Sequence, residues 1–261
     1  MTDTLETISL ERTDGLAIVH LNQPERLNAL NEQMRQEIMS TVDVLATEDS
    51  VRALIITGNS DKAFVAGADI SEFAGRSLEE QTEVYQRRRV YEALAAFPKP
   101  AIAAIHGYCY GGGCELALAC DMRIADSTAS FGQLEVRLGL VPGAGGTQRL
   151  ARLVGYGQAF KMAATGDTID APEALRIGLI EEMVEPGKHL ERARELAGRM
   201  TRWSPVAVSL IKELVSQSSE VPVSKGIALE KAAFLKAFAS EDGQEGVTAF
   251  TEKRRAKFTG R

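Results

Sequence analysis

Residues 101–121, AIAAIHGYCYGGGCELALACD, decide how the rest of the chain is read. An apolar run of strand character reaches Gly107. Three consecutive glycines, 111–113, then lead into Cys114, a single carboxylate at Glu115 and the apolar run 116–120. A strand that stops in glycines and restarts as a helix leaves the first N–H groups of that helix without partners. Together with the positive end of the helix dipole, these groups attract negative charge, and glycine lets a ligand approach the backbone closely. If the ligand is a carbonyl compound whose oxygen becomes negative during reaction, this is half of an oxyanion hole. Two other uses of a glycine turn stay open here: close packing in a tight turn, and cradling a phosphate. The phosphate reading lacks its sequence, since no Lys-Ser/Thr follows the glycines and no G-x-G-x-x-G is present.

Glu115 falls three residues after Gly112, so one helical turn places its carboxylate beside that glycine's N–H. Its apolar neighbours predict desolvation and a raised pKa, which suits a group that moves a proton near neutral pH. A first-turn Glu also complements the dipole with no chemistry at all. Two further segments fit the same device. FVAGADI, 64–70, is a strand end where a second N–H could face the same oxygen. SFGQLEVRLGLVPGAGGTQRL, 130–150, carries Glu135, then Pro142 and glycines 143, 145 and 146 opening another helix.

Around these motifs, short strands alternate with helices, which predicts an α/β fold with mostly buried strands. Strands are expected at 16–22, 51–58, 63–67 and 101–107, and in MRIAD and ASFG. A helix capped by Asn31 is expected to run to about Ala46, and one continuous helix to span 79–97, stopped by Pro98-Lys99-Pro100. Beyond about Thr201 the strand signal vanishes. Helices are expected at 203–217 and 223–239, then a break at SEDGQEG, 240–246, and a basic tail helix, TAFTEKRRAKF. This divides the chain into a catalytic core, 1–200, and a helical region, 201–261.

With 44% hydrophobic and 25% charged residues the composition is that of a globular protein. A net charge of −6 argues against nucleic-acid or membrane-surface binding. The Arg87-Arg88-Arg89 cluster reads as a solvated helix face. The N-terminus shows neither a basic nor an apolar signal region, and no apolar run is long enough for a membrane span. Three cysteines, 109, 114 and 120, and only three histidines argue against a disulfide framework and a zinc site. The expectation is a reduced, cytoplasmic protein.

The chain resembles the enoyl-CoA hydratase/isomerase (crotonase) family. The resemblance rests on NQPERLNAL at 22–30, AFVAGADISEF at 63–73, PAIAAIHGYCYGGGCELALACD at 100–121, FGQLEVRLGLVPGAGGTQRL at 131–150, TGDTIDAPEALRIGLIEEMV at 165–184 and GVTAFTEKRRAKF at 246–258. It implies a spiral of repeated ββα units, with the helical C-terminal region building a homotrimer or a hexamer of paired trimers. It implies an acyl-CoA substrate, no metal and no separate cofactor, coenzyme A being part of the substrate. The oxyanion hole is then the backbone N–H groups of Ala68 and Gly112. Glu115 and Glu135 match both catalytic positions of the hydratase, and Gly143 matches a contact to the reacting water. Arg26, Leu27, Ala29, Ala66, Asp69, Ile70 and Ser71 match the coenzyme-lining segments. Phe250 and Lys253 match tail positions that touch the nucleotide end from a neighbouring subunit.

The implied reaction is reversible syn hydration of 2-trans-enoyl-CoA. Double-bond isomerisation, for which one carboxylate suffices, is the rival on the same fold. RNA binding, resting on the arginine cluster alone, is a more distant one. Two positions depart from the family pattern. Leu134 stands where many hydratases have Pro, which puts the placement of Glu135 in question. Tyr110 precedes the glycines where a smaller aliphatic is common, so its phenol narrows the acyl pocket or donates a hydrogen bond.

Overall fold

The computed structural model describes residues 2–261. Eleven strands form two sheets among these residues: β1 (Thr2–Thr4), β2 (Ile8–Thr13), β3 (Leu16–Leu21), β4 (Ala53–Gly58), β5 (Ala63–Val65), β6 (Ala101–Ile105), β7 (Tyr108–Tyr110), β8 (Met122–Asp126), β9 (Ser130–Gly132), β10 (Ile169–Asp170) and β11 (Glu182–Val184). The helices are α1 (Glu32–Thr47), α2 (Leu78–Gln86), α3 (Val90–Ala95), α4 (Gly112–Ala119), α5 (Gly146–Val154), α6 (Tyr156–Thr165), α7 (Ala171–Ile177), α8 (His189–Met200), α9 (Pro205–Gln217), α10 (Val223–Ala239) and α11 (Glu241–Thr251).

The larger sheet has the order β1-β2-β3-β4-β6-β8-β11, and the smaller β10-β9-β7-β5. From β3 to β11 the larger sheet is parallel. Parallel strands covered on both faces read as unbroken apolar runs, and β4 and β6 are buried along nearly their whole length. Alternate side chains enter two cores. Leu54, Ile56, Ala103 and Ile105 face α1, α3 and α4, while Ile55, Ile102 and Ala104 face Ala193 and Ala197 of α8. The spiral follows from the pairing. β4, β6 and β8 each lie in the large sheet, and each is followed within a few residues by β5, β7 or β9 in the small one. Helices α2 and α3, α4, and α5 then complete the successive turns.

Asn31 caps α1 as expected, its side chain accepting from Met34 N at 2.8 Å. Two helical expectations are corrected. The stretch 79–97 is not one helix: Arg87 (ψ 151°) and Arg89 (ψ 165°) are extended, so α2 ends and α3 begins anew. The two halves have different environments. Helix α2 buries no residue, whereas α3 buries Val90, Tyr91, Ala93 and Leu94, and no straight helix satisfies both. In the tail, the break is confined to Ser240 (ψ 156°), and EDGQEG, 241–246, is already helical. Ser240 caps α11 by accepting from Gly243 N at 2.9 Å, and Glu241 and Asp242 favour the positive end of the dipole. The helix stops at Thr251, short of the basic stretch, where Lys253 turns left-handed (φ 55°) and Arg254 N donates back to Ala249 O. No helix among the described residues is long and apolar enough to cross a membrane.

Candidate active site

The site forms where the small sheet meets the N-terminus of α4. Gly113 lets α4 dock on β5, since a Cβ there would come within 2.5 Å of Val65 Cβ and O. That contact sets the first turn of α4 beside the segment following β5. A point one Cβ bond from Gly112 lies 3.4 Å from Ala68 N. Neither the Ala68 nor the Gly112 N–H has an acceptor among the described residues, so two free donors adjoin one space, as an oxyanion hole requires.

The Ala68 segment is held from the other side. Leu30 N donates to Gly67 O at 2.8 Å and Asp69 N to Leu30 O at 3.0 Å. Asn28 is fully buried; its Nδ2 donates to Ala63 O and Phe64 O at 3.1 Å each, and its Oδ1 accepts from Gln23 N at 2.9 Å. Further along, Arg35 of α1 pairs with Glu72 at 2.5 Å. The family-like stretches 22–30 and 63–73, distant in sequence, are thus stitched into one ledge. On that ledge Arg26 pairs with Asp69 at 3.0 Å, and Asp69 accepts from Ser71 N at 3.0 Å and Ser71 Oγ at 2.6 Å. Leu27 has a left-handed backbone, Ile70 is exposed, and Ala66 N donates to Leu27 O at 3.1 Å. Ala29 closes the turn through its N–H to Arg26 O at 3.0 Å.

Glu115 is 3% exposed. Its carboxylate does not turn back to Gly112, as helical spacing suggests. Oε1 instead accepts from Ala144 N at 2.6 Å and Gly146 N at 2.8 Å, in the PGAGG segment that opens α5. That segment is braced in turn, with Arg149 Nη1 donating to Ala144 O at 2.9 Å and Arg89 Nη2 to Gly143 O at 2.9 Å. Burial raises the Glu115 pKa, while the N–H groups of Gly146 and Ala144 and the charges of Arg89 and Arg149 oppose the rise.

Glu135 begins a short 3-10 turn, Glu135–Leu138, after Leu134 (φ −98°, ψ 2°). Leucine supports this backbone without the proline common in hydratases. A point one Cβ bond from Gly111 lies 3.0 Å from Glu135 Oε1, so the second carboxylate stands against the same glycine run. Burial, with a further push from the Glu115 charge, takes its pKa up to about 7. Between the two acids lies Gln133, 0% exposed. Amide orientation is set by partners; with its nitrogen turned toward Glu135, it lies 3.2 Å from both carboxylate oxygens.

Not every expected residue reaches this cluster. Phe250 lies on α11 and Lys253 just beyond it. The tail that follows is tied to the far end of the large sheet by Arg52, which donates to Thr201 O at 3.1 Å and Phe258 O at 3.0 Å. Among the described residues neither is hydrogen-bonded or ion-paired to the ledge. Tyr110 is half-buried, donates to Ser130 Oγ at 3.0 Å and stacks on Tyr108 at 5.2 Å. The arginine cluster is not one face. Arg87 lies 3.7 Å from Glu83, Arg88 pairs with Asp43 at 2.9 Å, and Arg89 turns inward over the rings of Tyr85 and Tyr91. Arg89, read from sequence as part of a solvated helix face, borders the site instead, together with Tyr85, Tyr91 and Gln133. The Gln133 signal was present in FGQLE, beside an acid already singled out. The tyrosines look like any helical aromatic.

The architecture defines an α/β enzyme in which two backbone N–H groups without acceptors and two buried carboxyl groups border one glycine run. The enoyl-CoA hydratase/isomerase family profile matches residues 11–261, and the chain belongs to that family. It is 44% identical over 254 residues to the crotonyl-CoA hydratase of Syntrophomonas wolfei, covering 97% of this chain and 98% of that protein. It is 40% identical to the 2,3-dehydroadipyl-CoA hydratase of Escherichia coli, covering 98% and 100%. The crystal structure of an enoyl-CoA hydratase from Bacillus anthracis superposes with a TM-score of 0.92 at 38% identity, covering 98% of this chain and all of that one.

Proposed function

We propose that this protein catalyses the reversible syn hydration of short-chain 2-trans-enoyl-CoA thioesters to 3-hydroxyacyl-CoA. The observation that carries the reading is the pair of glutamates in unlike environments around one glycine run. Glu115 accepts two backbone N–H bonds that favour its ionised form, whereas Glu135 has a pKa near 7 and holds a proton readily. Environments that separate two carboxyl pKa values assign the base and the acid. Glu115 therefore takes the proton of the attacking water as oxygen bonds to Cβ. Electrons of the double bond move toward the thioester oxygen, where the Ala68 and Gly112 N–H groups meet the growing charge. Glu135 delivers its proton to Cα, and the carbonyl reforms. Gly143, whose N–H has no acceptor among the described residues, adjoins the water position.

Isomerisation needs only one proton shuttle and leaves the second acid unexplained. The coenzyme lies along the ledge of Arg26, Leu27, Ala29, Ala66, Asp69, Ile70 and Ser71. We further infer a cytoplasmic homotrimer or a hexamer of paired trimers. Ile211 and Val215 of α9 and Phe234, Leu235 and Phe238 of α10 are exposed, more apolar surface than a monomer ordinarily presents. Packing of three copies also offers Phe250 and Lys253 to a neighbour's coenzyme. The test is loss of the conjugated-enoyl absorbance of crotonyl-CoA in metal-free, nucleotide-free buffer. Turnover is expected. Binding of CoA thioesters without hydration would overturn the reading.

A further inference from the structure

Tyr91 lies on the buried face of α3, 5% exposed, its ring among the core side chains that pack α3 against α1 and α4. A buried phenol normally finds a partner for its hydroxyl. Among the described residues this one makes no hydrogen bond. Nor is it sealed in, because the one enclosed side-chain polar atom without a partner is His106 Nδ1. The hydroxyl therefore opens onto accessible space. Which space is fixed by Gly112: the point one Cβ bond from its Cα is 3.1 Å from Tyr91 Oη and 3.4 Å from Ala68 N. The phenol oxygen thus stands beside the two free N–H groups already described.

We propose that the Tyr91 hydroxyl is a third donor of the oxyanion hole and a catalytic residue of the hydration. The inference rests on reading the site as one for an acyl thioester. The hydroxyl donates a hydrogen bond to the thioester oxygen and keeps its proton throughout. As water adds and the oxygen takes on enolate charge, that bond strengthens; as Cα is protonated and the carbonyl reforms, it relaxes. Burial and a neighbouring charge keep the proton on the phenol, while Arg89 opposes them and sharpens the donor. Burial and the nearby Glu115 charge raise the Tyr91 pKa above its ordinary value, so it stays protonated over the working pH range. The Arg89 guanidinium, 5.2 Å over the ring, draws electron density from the phenol.

The test compares wild type with Tyr91→Phe, which removes one oxygen and leaves the ring in the core. The primary readout is the absorption band of a bound 2,4-dienoyl-CoA, whose red shift reports the pull on its carbonyl. A smaller red shift is expected, together with a kcat for crotonyl-CoA lower by about 10²-fold and a KM changed little. An unchanged red shift and kcat in a folded variant would overturn the proposal. Should Tyr91→Phe fail to fold, 3-fluorotyrosine at position 91 supplies a stronger donor of nearly the same shape. It must increase the red shift, and no increase would equally overturn the proposal. The red shift needs binding and polarisation but no turnover. A wild type that shifts the dienoyl band and hydrates nothing would refute the hydratase reading and leave this one standing.

Discussion

The glutamate pair makes a pH prediction that can be worked through. In the proposed mechanism, hydration begins with Glu115 ionised and Glu135 protonated, and it ends with the proton on Glu115 and Glu135 ionised. The pair holds one proton before and after. Overall hydration consumes no proton, so kcat/KM must share one pH profile in the two directions, a bell set by the macroscopic pKa values of the pair. The alkaline limb marks loss of the single proton. Burial and Glu115 push the Glu135 pKa up to about 7, with the backbone N–H of Glu135 itself pulling the other way. With a pKa of about 7, roughly half the pair is competent at pH 7 and about one part in a hundred at pH 9, a fall of about fiftyfold. The assay is the initial rate of crotonyl-CoA absorbance loss at substrate well below KM, from pH 5.5 to 9.5, with 3-hydroxybutyryl-CoA run in reverse. Activity flat from pH 6 to 9 would sink the assignment of Glu135 as the proton donor.

Glu135→Gln is expected to keep fold and coenzyme binding while hydration drops by about 10²–10⁴; near-normal turnover would remove Glu135 from the mechanism. Gly146→Ala places a methyl 2.9 Å from Glu115 Oε1 and 2.8 Å from the Gln133 side-chain amide. A kcat loss of about 10² is expected from misplacing Glu115, read in the same assay, and wild-type kcat would contradict it. Asn28→Asp sets a carboxylate against Ala63 O and Phe64 O in place of two donors. It should cost about 3 kcal/mol, lowering Tm by roughly 6–12 °C at fixed protein concentration; an unchanged melting curve would mean that Asn28 does not bear on the ledge. Disrupting the exposed face with Phe234→Glu and Phe238→Glu should convert a trimeric or hexameric sedimentation species to monomer, and a wild type already monomeric would refute the assembly.

Much of this architecture is legible because strands buried on both faces need no pattern finer than an apolar run. AIAAI and LIIT announce themselves, and Asn31 announces the start of α1. The linear pattern fails where a side chain's partner comes from another turn of the spiral. Glu115 looks like a residue for its own helix, yet the N–H groups that donate to it, those of Ala144 and Gly146, lie 29 and 31 positions away. The run 79–97 has no proline or glycine to mark its division; the break arises because Arg89 reaches Gly143 and Val90 reaches the core. In the tail, glycines suggested a stop, but the Ser240 cap and two acidic residues outweigh them. Tyr91 was invisible for a different reason, since an aromatic on a buried helical face has the same pattern whether or not its hydroxyl meets a ligand.

Helix α2 has no residue in either core, whereas α3, three residues later, has four. Unfolding α2 therefore exposes almost no apolar surface, and its opening free energy lies at the low end of the range while that of α3 approaches the global value. In deuterated buffer the amides of residues 80–86 should exchange well before those of 92–95. Arg89 stands on the boundary between them. An acyl-CoA that engages Tyr85 and Arg89 would slow exchange in the first group and leave the second untouched, so the ligand's reach along the wall can be read one amide at a time.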